Sequence, residues 1–475
     1  MRPIPRSDAS HGGADEPPPN ILLIMTDQQR WDALGCTGGW VETPHMDRLA
    51  AEGVRFSNAY TNAPMCAPAR LSLARGRYPH HQAEWAGKPE GQRLTWMRAV
   101  RDTGYSTSVI GKTHLHPHEG DLRDREHLVH AYGLDHVDEI AGPRASALCR
   151  SNLTDRWEEA GVYEDYKRDL WDRIGDRSAT KPWVARPSPV PLGLYSDVYV
   201  GQQAAAYLRG YDGAKPWFCW VSFGGPHEPW DAPEPYASRY DPAAMPEPVL
   251  PKNHGQDRPR GLLDEKLADG GFPFEPGDVA RLRANYAGNV TLIDDQIGEV
   301  LRAVEDRDEL DRTVVAFVSD HGEMNGDYNL LYKQNFLNGA VRIPFIVRLP
   351  PHRQGPTAGA VADGIVELMD LGATLVELAG ARQVPRSLAR SVVPVLEDPS
   401  LPHRQAALSE LRRQGEVMIA TADWKMALNR EGEVYLLYDL GADPSETGNV
   451  AGLPDYEEIQ RDLRRQLDET LEATR

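Results

Sequence analysis

Residues 21–28, I-L-L-I-M-T-D-Q, and residues 313–322, T-V-V-A-F-V-S-D-H-G, share one pattern: a short unbroken apolar run followed at once by polar residues. An apolar run of this length suits a strand covered on both faces, as in a parallel sheet. Similar runs occur at 105–110, 217–223 and 343–347. Between the runs, amphipathic stretches predict helices over 44–52, 94–102, about 278–306 and 363–379. Strand alternating with helix predicts an α/β fold with a doubly wound, mainly parallel sheet flanked by helices. In such sheets ligands sit beyond the carboxyl ends of strands, so the residues after each run are the ones to search for chemistry.

Two regions break the alternation. Residues 117–195 and 226–278 are rich in Pro, Gly, Trp and charge and read as long insertions over one face of the sheet. Trp157, Trp171, Trp183 and Trp230 suggest an aromatic-walled pocket suited to a sugar, an aryl group or a quaternary amine, with plain surface decoration as the alternative. After about Gly380, the segments V-M-I-A-T, W-K-M-A-L and E-V-Y-L-L-Y-D-L read as an antiparallel meander, followed by a charged helix from about 455 to 474. The expected organisation is a disordered leader over 1–19, a catalytic α/β domain over 20–380 and a smaller C-terminal α+β subdomain over 381–475.

The chain carries 52 basic and 71 acidic residues, a net charge of -19. Such a surface repels phosphate backbones and argues against nucleic acid as a partner. An anionic substrate would need a local cluster of cations set against this field. Cys36, Cys66, Cys149 and Cys219 are far apart with no C-x-x-C pair, which fits a reducing compartment better than a disulfide framework. The first nineteen residues lack the apolar core of a secretory signal, and no stretch approaches a membrane span. A cytoplasmic location without a membrane partner is the default expectation. No heptads or long tail declare the oligomeric state, which leaves a homo-oligomer open.

Asp27 and Gln28 follow the first run, and Asp320 and His321 follow the later one. Two carboxylates, an amide oxygen and an imidazole could converge there on one cation, Ca²⁺, Mg²⁺ or Mn²⁺ by ligand chemistry. Alternatively, each Asp simply caps the helix that follows. Cys66 begins C-A-P-A-R-L-S-L-A-R-G, where Pro68 suits a first helical turn and Gly76 a helix end. A helix start favours negative charge, and Arg70 lies one turn on, so Cys66 could be an activated nucleophile; a small buried hydrophobe is the bland reading. His114, His116 and His118, in H-L-H-P-H, could form a zinc site if they shared one strand face, but Pro117 interrupts such a strand. His80 and His81 read as wall or surface residues, and Asp294 and Asp295 as solvated or helix-packing groups. Glu323 and Asp327 are expected to order the loop after the second strand end.

C-A-P-A-R followed by L-S-L-A-R-G-R-Y-P resembles the C-x-P-x-R signature of the type I sulfatases, in the alkaline-phosphatase-like superfamily. N-I-L-L-I-M-T-D-Q, T-P-H-M-D-R-L-A-A-E-G-V-R-F-S-N-A-Y, G-K-T-H-L, G-G-P-H-E-P-W, S-D-H-G-E-M-N-G-D, L-Y-K-Q and L-Y-D-L-G-A-D-P-S-E-T-G-N extend the resemblance, in order, over most of the chain. The resemblance implies a sulfuric ester hydrolase whose signature cysteine becomes formylglycine (3-oxoalanine), matured by a formylglycine-generating enzyme. It implies attack on sulfur by one hydroxyl of the hydrated aldehyde, then release of sulfate driven by the second hydroxyl, with a small-molecule or sugar sulfate ester as substrate. By motif, Asp27, Gln28, Asp320, His321 and modified Cys66 would hold one divalent cation, Ca²⁺ first, with Mn²⁺ or Mg²⁺ as alternatives. Arg70 would hold the diol, Lys112 and His114 would flank it with His114 as base, His227 would sit near the leaving oxygen, and Lys333 would neutralise the ester.

Two positions depart from the commonest pattern of that family. Gln28 stands where many members carry a second aspartate, and His321 where some carry asparagine. The pair resembles choline-sulfatase-like and phosphonate-monoester-hydrolase-like relatives. A phosphonate monoester or phosphodiester hydrolase is therefore the runner-up, and a non-catalytic binding relative is the rival from another class.

Overall fold

The computed structural model describes residues 17–81, 94–174, 184–252 and 274–474. Its centre is an eight-stranded sheet. In chain order the strands are β1 (Asn20–Thr26), β2 (Val54–Phe56), β3 (Ser106–Gly111), β4 (His136–Glu139), β5 (Trp217–Ser222), β6 (Thr313–Ser319), β7 (Phe345–Arg348) and β8 (Ala360–Ala362). Across the sheet they run β8-β2-β7-β6-β1-β5-β3-β4, and all but β7 are parallel.

The apolar runs form strands because both faces are covered. Leu22 and Ile24 of β1 enter one core, with Met46 and Leu49 of α1 (Pro44–Glu52), Val200 and Ala204 of α4 (Ser196–Gly210), and Val290 and Ile297 of α5 (Asp278–Glu305). Ile21, Leu23 and Met25 enter the other, with Leu71 and Leu73 of α2 (Cys66–Arg75), Trp96 and Val100 of α3 (Trp96–Arg101), and Leu371 and Leu375 of α6 (Asp370–Leu378). Strand periodicity of two sends alternate residues to opposite helix layers. Each such buried Leu or Ile contributes about 1.5–3 kcal/mol, so a charged residue at Leu23 or Ile24 would disrupt a whole layer.

A second, antiparallel sheet follows: β9 (Ala407–Leu411), β10 (Glu416–Ala420), β11 (Trp424–Leu428) and β12 (Val434–Asp439). Leu408, Ile419, Met426 and Leu437 face Leu463 and Leu467 of the last helix, α7 (Glu457–Ala473). The opposite face, with Met418, Leu436 and Tyr438, packs on Tyr60, Tyr328 and Phe336 of the main body. The expected fold class is the observed one: a mainly parallel flanked sheet with a smaller α+β part at the C-terminus.

Some expectations need correction. Residues 136–139 lie in the region read as an insertion, yet they form an edge strand of the main sheet. H-V-D-E carries too little apolar character to be recognised as a strand. The helix expected over 363–379 is confined to Asp370–Leu378, because residues 366 and 367 pair in a short parallel ladder with residues 59 and 60. Trp157 does not line a pocket. It is 1% exposed, lies with its ring centroid 4.4 Å from that of Tyr166, and donates its indole N–H to the Leu194 carbonyl at 2.7 Å. Trp171 is an exposed surface residue. Trp183 and residues 1–16 of the expected leader lie outside the described residues, as do parts of both expected insertions.

Candidate active site

β1 and β6 are neighbours in register, with Thr26 beside Ser319, so Asp27 and Asp320 emerge side by side. Cys66 is the first residue of α2 and faces them: its Sγ lies 3.6 Å from Asp27 Oδ1 and 3.1 Å from His321 Nε2. Ligating atoms of Asp27, Cys66, Asp320 and His321 all lie within 4.8 Å of one another, and all four residues are buried. His321 Nδ1 lies 2.9 Å from the Gly322 carbonyl, where it donates, which leaves Nε2 as the ligating nitrogen. Two carboxylates and one imidazole around a single point fit a divalent cation, with oxygen ligands favouring a hard ion.

Arg70 ties this cluster together. Its Nε donates to Asp320 Oδ2 at 2.7 Å and its Nη2 to Asp27 Oδ2 at 3.1 Å. Its Nη1 donates to the Lys112 carbonyl at 2.6 Å and to Ser222 Oγ at 3.0 Å. A fully buried guanidinium with its fork spent in this way fixes both strand ends at once. Lys112, just past β3, reaches Asp27 Oδ2 at 2.5 Å.

The second half of the site comes from loops. Lys333 Nζ bonds Gln28 Oε1 and lies 2.8 Å from His227 Nε2. His227 Nδ1 lies 2.8 Å from the Glu228 carbonyl and donates to it, so Nε2 receives the lysine proton. The Gln28 amide nitrogen donates to Glu228 Oε2 at 2.9 Å and also to Glu323 Oε2. Gln28 itself takes a left-handed backbone, φ 70, held by Tyr286 Oη on its carbonyl at 2.8 Å and by Asp320 Oδ1 on its N–H at 3.1 Å. His114 also has a left-handed backbone, φ 53, and its imidazole hydrogen-bonds Cys66.

The electrostatics follow from these contacts. Burial and the Cys66 sulfur push the Asp27 carboxyl up, but Lys112, His227 and Arg70 bring it well below the usual carboxylate range. Burial likewise pushes the Cys66 thiol up, and Lys112, Lys333 and His321 outweigh it, holding the sulfur well below its ordinary value. Burial moves His114 down to about 3, so that ring is neutral at neutral pH. Burial opposes a charge on His321, yet Asp320 and Cys66 raise it to about 9. Arg70, Lys112 and Lys333 gather cations at one point of an acidic protein, as an anionic substrate requires.

Every residue singled out from the sequence for this site is found in it: Asp27, Gln28, Cys66, Arg70, Lys112, His114, His227, Asp320, His321 and Lys333. Glu323 and Asp327 order the following loop as expected. Glu323 accepts the Asn325 N–H at 2.9 Å, and Asp327 pairs with Arg30 at 2.7 Å and Arg283 at 2.6 Å. His80 and His81 lie elsewhere: His80 pairs with Glu410 and His81 meets the Thr474 carbonyl. Sequence reasoning missed Glu228 and Arg144, whose side chains pair at 2.9 Å beside Lys333, with the Arg144 guanidinium 5.6 Å from the centre of the Tyr332 ring. Both come from loops without periodicity, although Glu228 follows the flagged His227 directly.

Residues 19–381 match the family model for sulfatases, and residues 326–473 match the model for the C-terminal part of N-sulphoglucosamine sulphohydrolase. The chain belongs to the sulfatase family. It is a sulfuric ester hydrolase by that membership, and the family generally uses a metal ion and formylglycine. An arylsulfatase of Clostridium perfringens is 29% identical over 96% of this chain and 95% of its own. An N-acetylglucosamine-6-O-sulfatase of Bacteroides thetaiotaomicron is 25% identical over 95% of this chain and 86% of its own. The crystal structure of the phosphonate monoester hydrolase of Agrobacterium radiobacter superposes with a TM-score of 0.78, at 25% identity and over 96% of each chain.

Proposed function

We propose that this sulfatase hydrolyses the sulfate ester of a small molecule or sugar with residue 66 in its formylglycine form and one divalent cation, Ca²⁺ first among the candidates. The observation that carries this reading is the placement of Cys66 Sγ among Asp27, Asp320 and His321 under the Arg70 fork. The aldehyde hydrate at residue 66 supplies the nucleophile, and the bound ion supplies Lewis-acid polarisation. Asp27, Gln28, Asp320 and His321 would hold the ion, Gln28 through the oxygen that Lys333 now contacts. Arg70 fixes the two carboxylates and through them the orientation of residue 66. Lys112 and Lys333 hold the ester oxygens by charge. Lys333, hydrogen-bonded to His227 Nε2, carries the proton for the departing alkoxide. His114, kept neutral by burial, accepts a proton at its ring from the residue-66 hydroxyl. Maturation by a formylglycine-generating enzyme belongs to the same proposal.

The second reading is hydrolysis of a phosphonate monoester or phosphodiester. Gln28 and His321 at the cation position, and the likeness to the phosphonate monoester hydrolase, favour it. A panel of aryl and sugar sulfates, sulfamates and phosphodiesters, assayed with Ca²⁺ and with Mn²⁺, separates the two. The sulfate esters are expected to turn over fastest; faster turnover of phosphodiesters would replace the first reading by the second.

A further inference from the structure

The H-L-H-P-H stretch is only partly absorbed by the site above. His114 faces Cys66, whereas His116 and His118 turn away to meet Glu139, the last residue of edge strand β4. His116 Nε2 lies 2.7 Å from Glu139 Oε2, and His118 Nε2 lies 3.2 Å from Glu139 Oε1. The three side chains are 1%, 3% and 1% exposed, and their ligating atoms lie within 4.8 Å of one another. This is a different juxtaposition from the one the sequence offered: the carboxylate comes from β4, and His114 is not part of the set.

We propose that His116, His118 and Glu139 form a second cation site, of the chemistry that takes Zn²⁺. Two imidazoles and one carboxylate brought together in a buried cluster are three ligands of a zinc set. The outer contacts suit it. His116 Nδ1 lies 2.9 Å from the Pro117 carbonyl and donates to it, so Nε2 is the nitrogen directed at Glu139. Thr113 Oγ1 donates to Glu139 Oε1 and orients the carboxylate. Such second contacts fix tautomer and ring plane around a bound metal. Without an ion, both His116 nitrogens face oxygen acceptors, so both must carry protons and the ring must be charged. One ion replaces the proton on His116 Nε2, which goes to solvent, while the proton of neutral His118 moves from Nε2 to Nδ1; the bonds to Pro117 and Thr113 are unchanged. Pro117, which argues against a strand here, supplies the carbonyl that orients the first ligand. The His118 ring stacks on His114 with centroids 4.9 Å apart, so an ion at this site would also brace the His114 side chain.

The full-length protein, stripped with a chelator, would be exposed to ZnCl₂ with Ca²⁺ in excess, passed through gel filtration and assayed for zinc by mass spectrometry. Wild type is expected to retain about one more zinc per chain than either His116→Ala or Glu139→Gln. Equal zinc in all three proteins, or none in wild type, would overturn the site. Anomalous diffraction from zinc-soaked wild-type crystals needs no variant to fold: a peak about 2.0–2.2 Å from the three side chains supports the site, and a peak only at Asp320 and His321 overturns it. The outcome is independent of turnover, so a protein inactive on sulfate esters that still holds this zinc would fault the catalytic reading and not this one.

Discussion

Glu228, beside the strand ends, and Asp294, on α5 behind the sheet, are both buried carboxylates, yet they are held in opposite ways. Burial pushes Glu228 up, but His227, Lys333 and Arg144 bring it down to about 2. Asp294 accepts the N–H groups of His45 and Met46, at 3.0 and 2.8 Å, which caps α1 from the long helix. No cation is among the main influences on it, and burial pushes it up to about 7 against those amide bonds. Asp197, on α4, is also near 7 by burial while holding the N–H groups of Gly224 and Gly225. Similar groups at similar depth thus differ by their neighbours. Asp27 and Glu228, at the carboxyl edge, stand among Arg70, Lys112, Lys333 and Arg144 and stay ionised. Acids in the helix layer position backbone and carry a proton readily.

The contrast can be broken most severely at its centre. Cys66→Ala removes the group around which the cations are arranged, and turnover of any ester the enzyme accepts should fall by at least about 10³-fold with the circular dichroism spectrum kept. Lys333→Ala leaves the strand-end acids but removes one fixed donor; a loss of about 3 kcal/mol is expected, roughly 100-fold in kcat. Unchanged turnover would remove Lys333 from its role. Arg70→Met tests the same region through stability. Taking one partner from a buried ion pair costs about 3–5 kcal/mol, read by urea unfolding in the presence of chelator, and a change below about 1 kcal/mol would contradict the bracing role.

A pH-dependent effect tests the rear acids. Asp294 has a folded pKa of about 7, above the ordinary 3.8, so between these values the folded state holds a proton that the unfolded chain has lost. Its contribution therefore destabilises as pH rises from about 4 to about 7 and is constant outside that window. Glu228 has the opposite sign: its stabilising contribution is complete above about 4.5 and lost as pH falls towards about 2. Asp294→Asn should flatten the decline between about pH 4 and 7, measured by urea unfolding across that range. An unchanged slope would mean that another group sets it.

The same contrast explains what could be read in the sequence. The runs ending at Met25 and Ser319 are buried on both faces, so their apolar character is unbroken and the acids after them mark the site. Cys66 was legible through the C-A-P-A-R resemblance, since a helix start and Arg70 one turn on left a small buried hydrophobe open. Glu228, Arg144 and Glu139 were not, since their partners lie far off in sequence and no periodicity announces a loop contact. Trp157 was misread as a pocket wall because its surroundings are charged. Yet Leu153 and Trp157 stand four apart on the helix Asn152–Glu159, each 1% exposed, and that spacing is the sign of a core-facing stripe.

The central claim is that residue 66 acts as formylglycine and not as a thiol. Mass spectrometry of the peptide containing residue 66, from active protein made in a host with the maturing enzyme, tests it directly. The account predicts the aldehyde or its hydrate at that position, in proportion to specific activity. Full activity in protein carrying only unmodified cysteine there would contradict it.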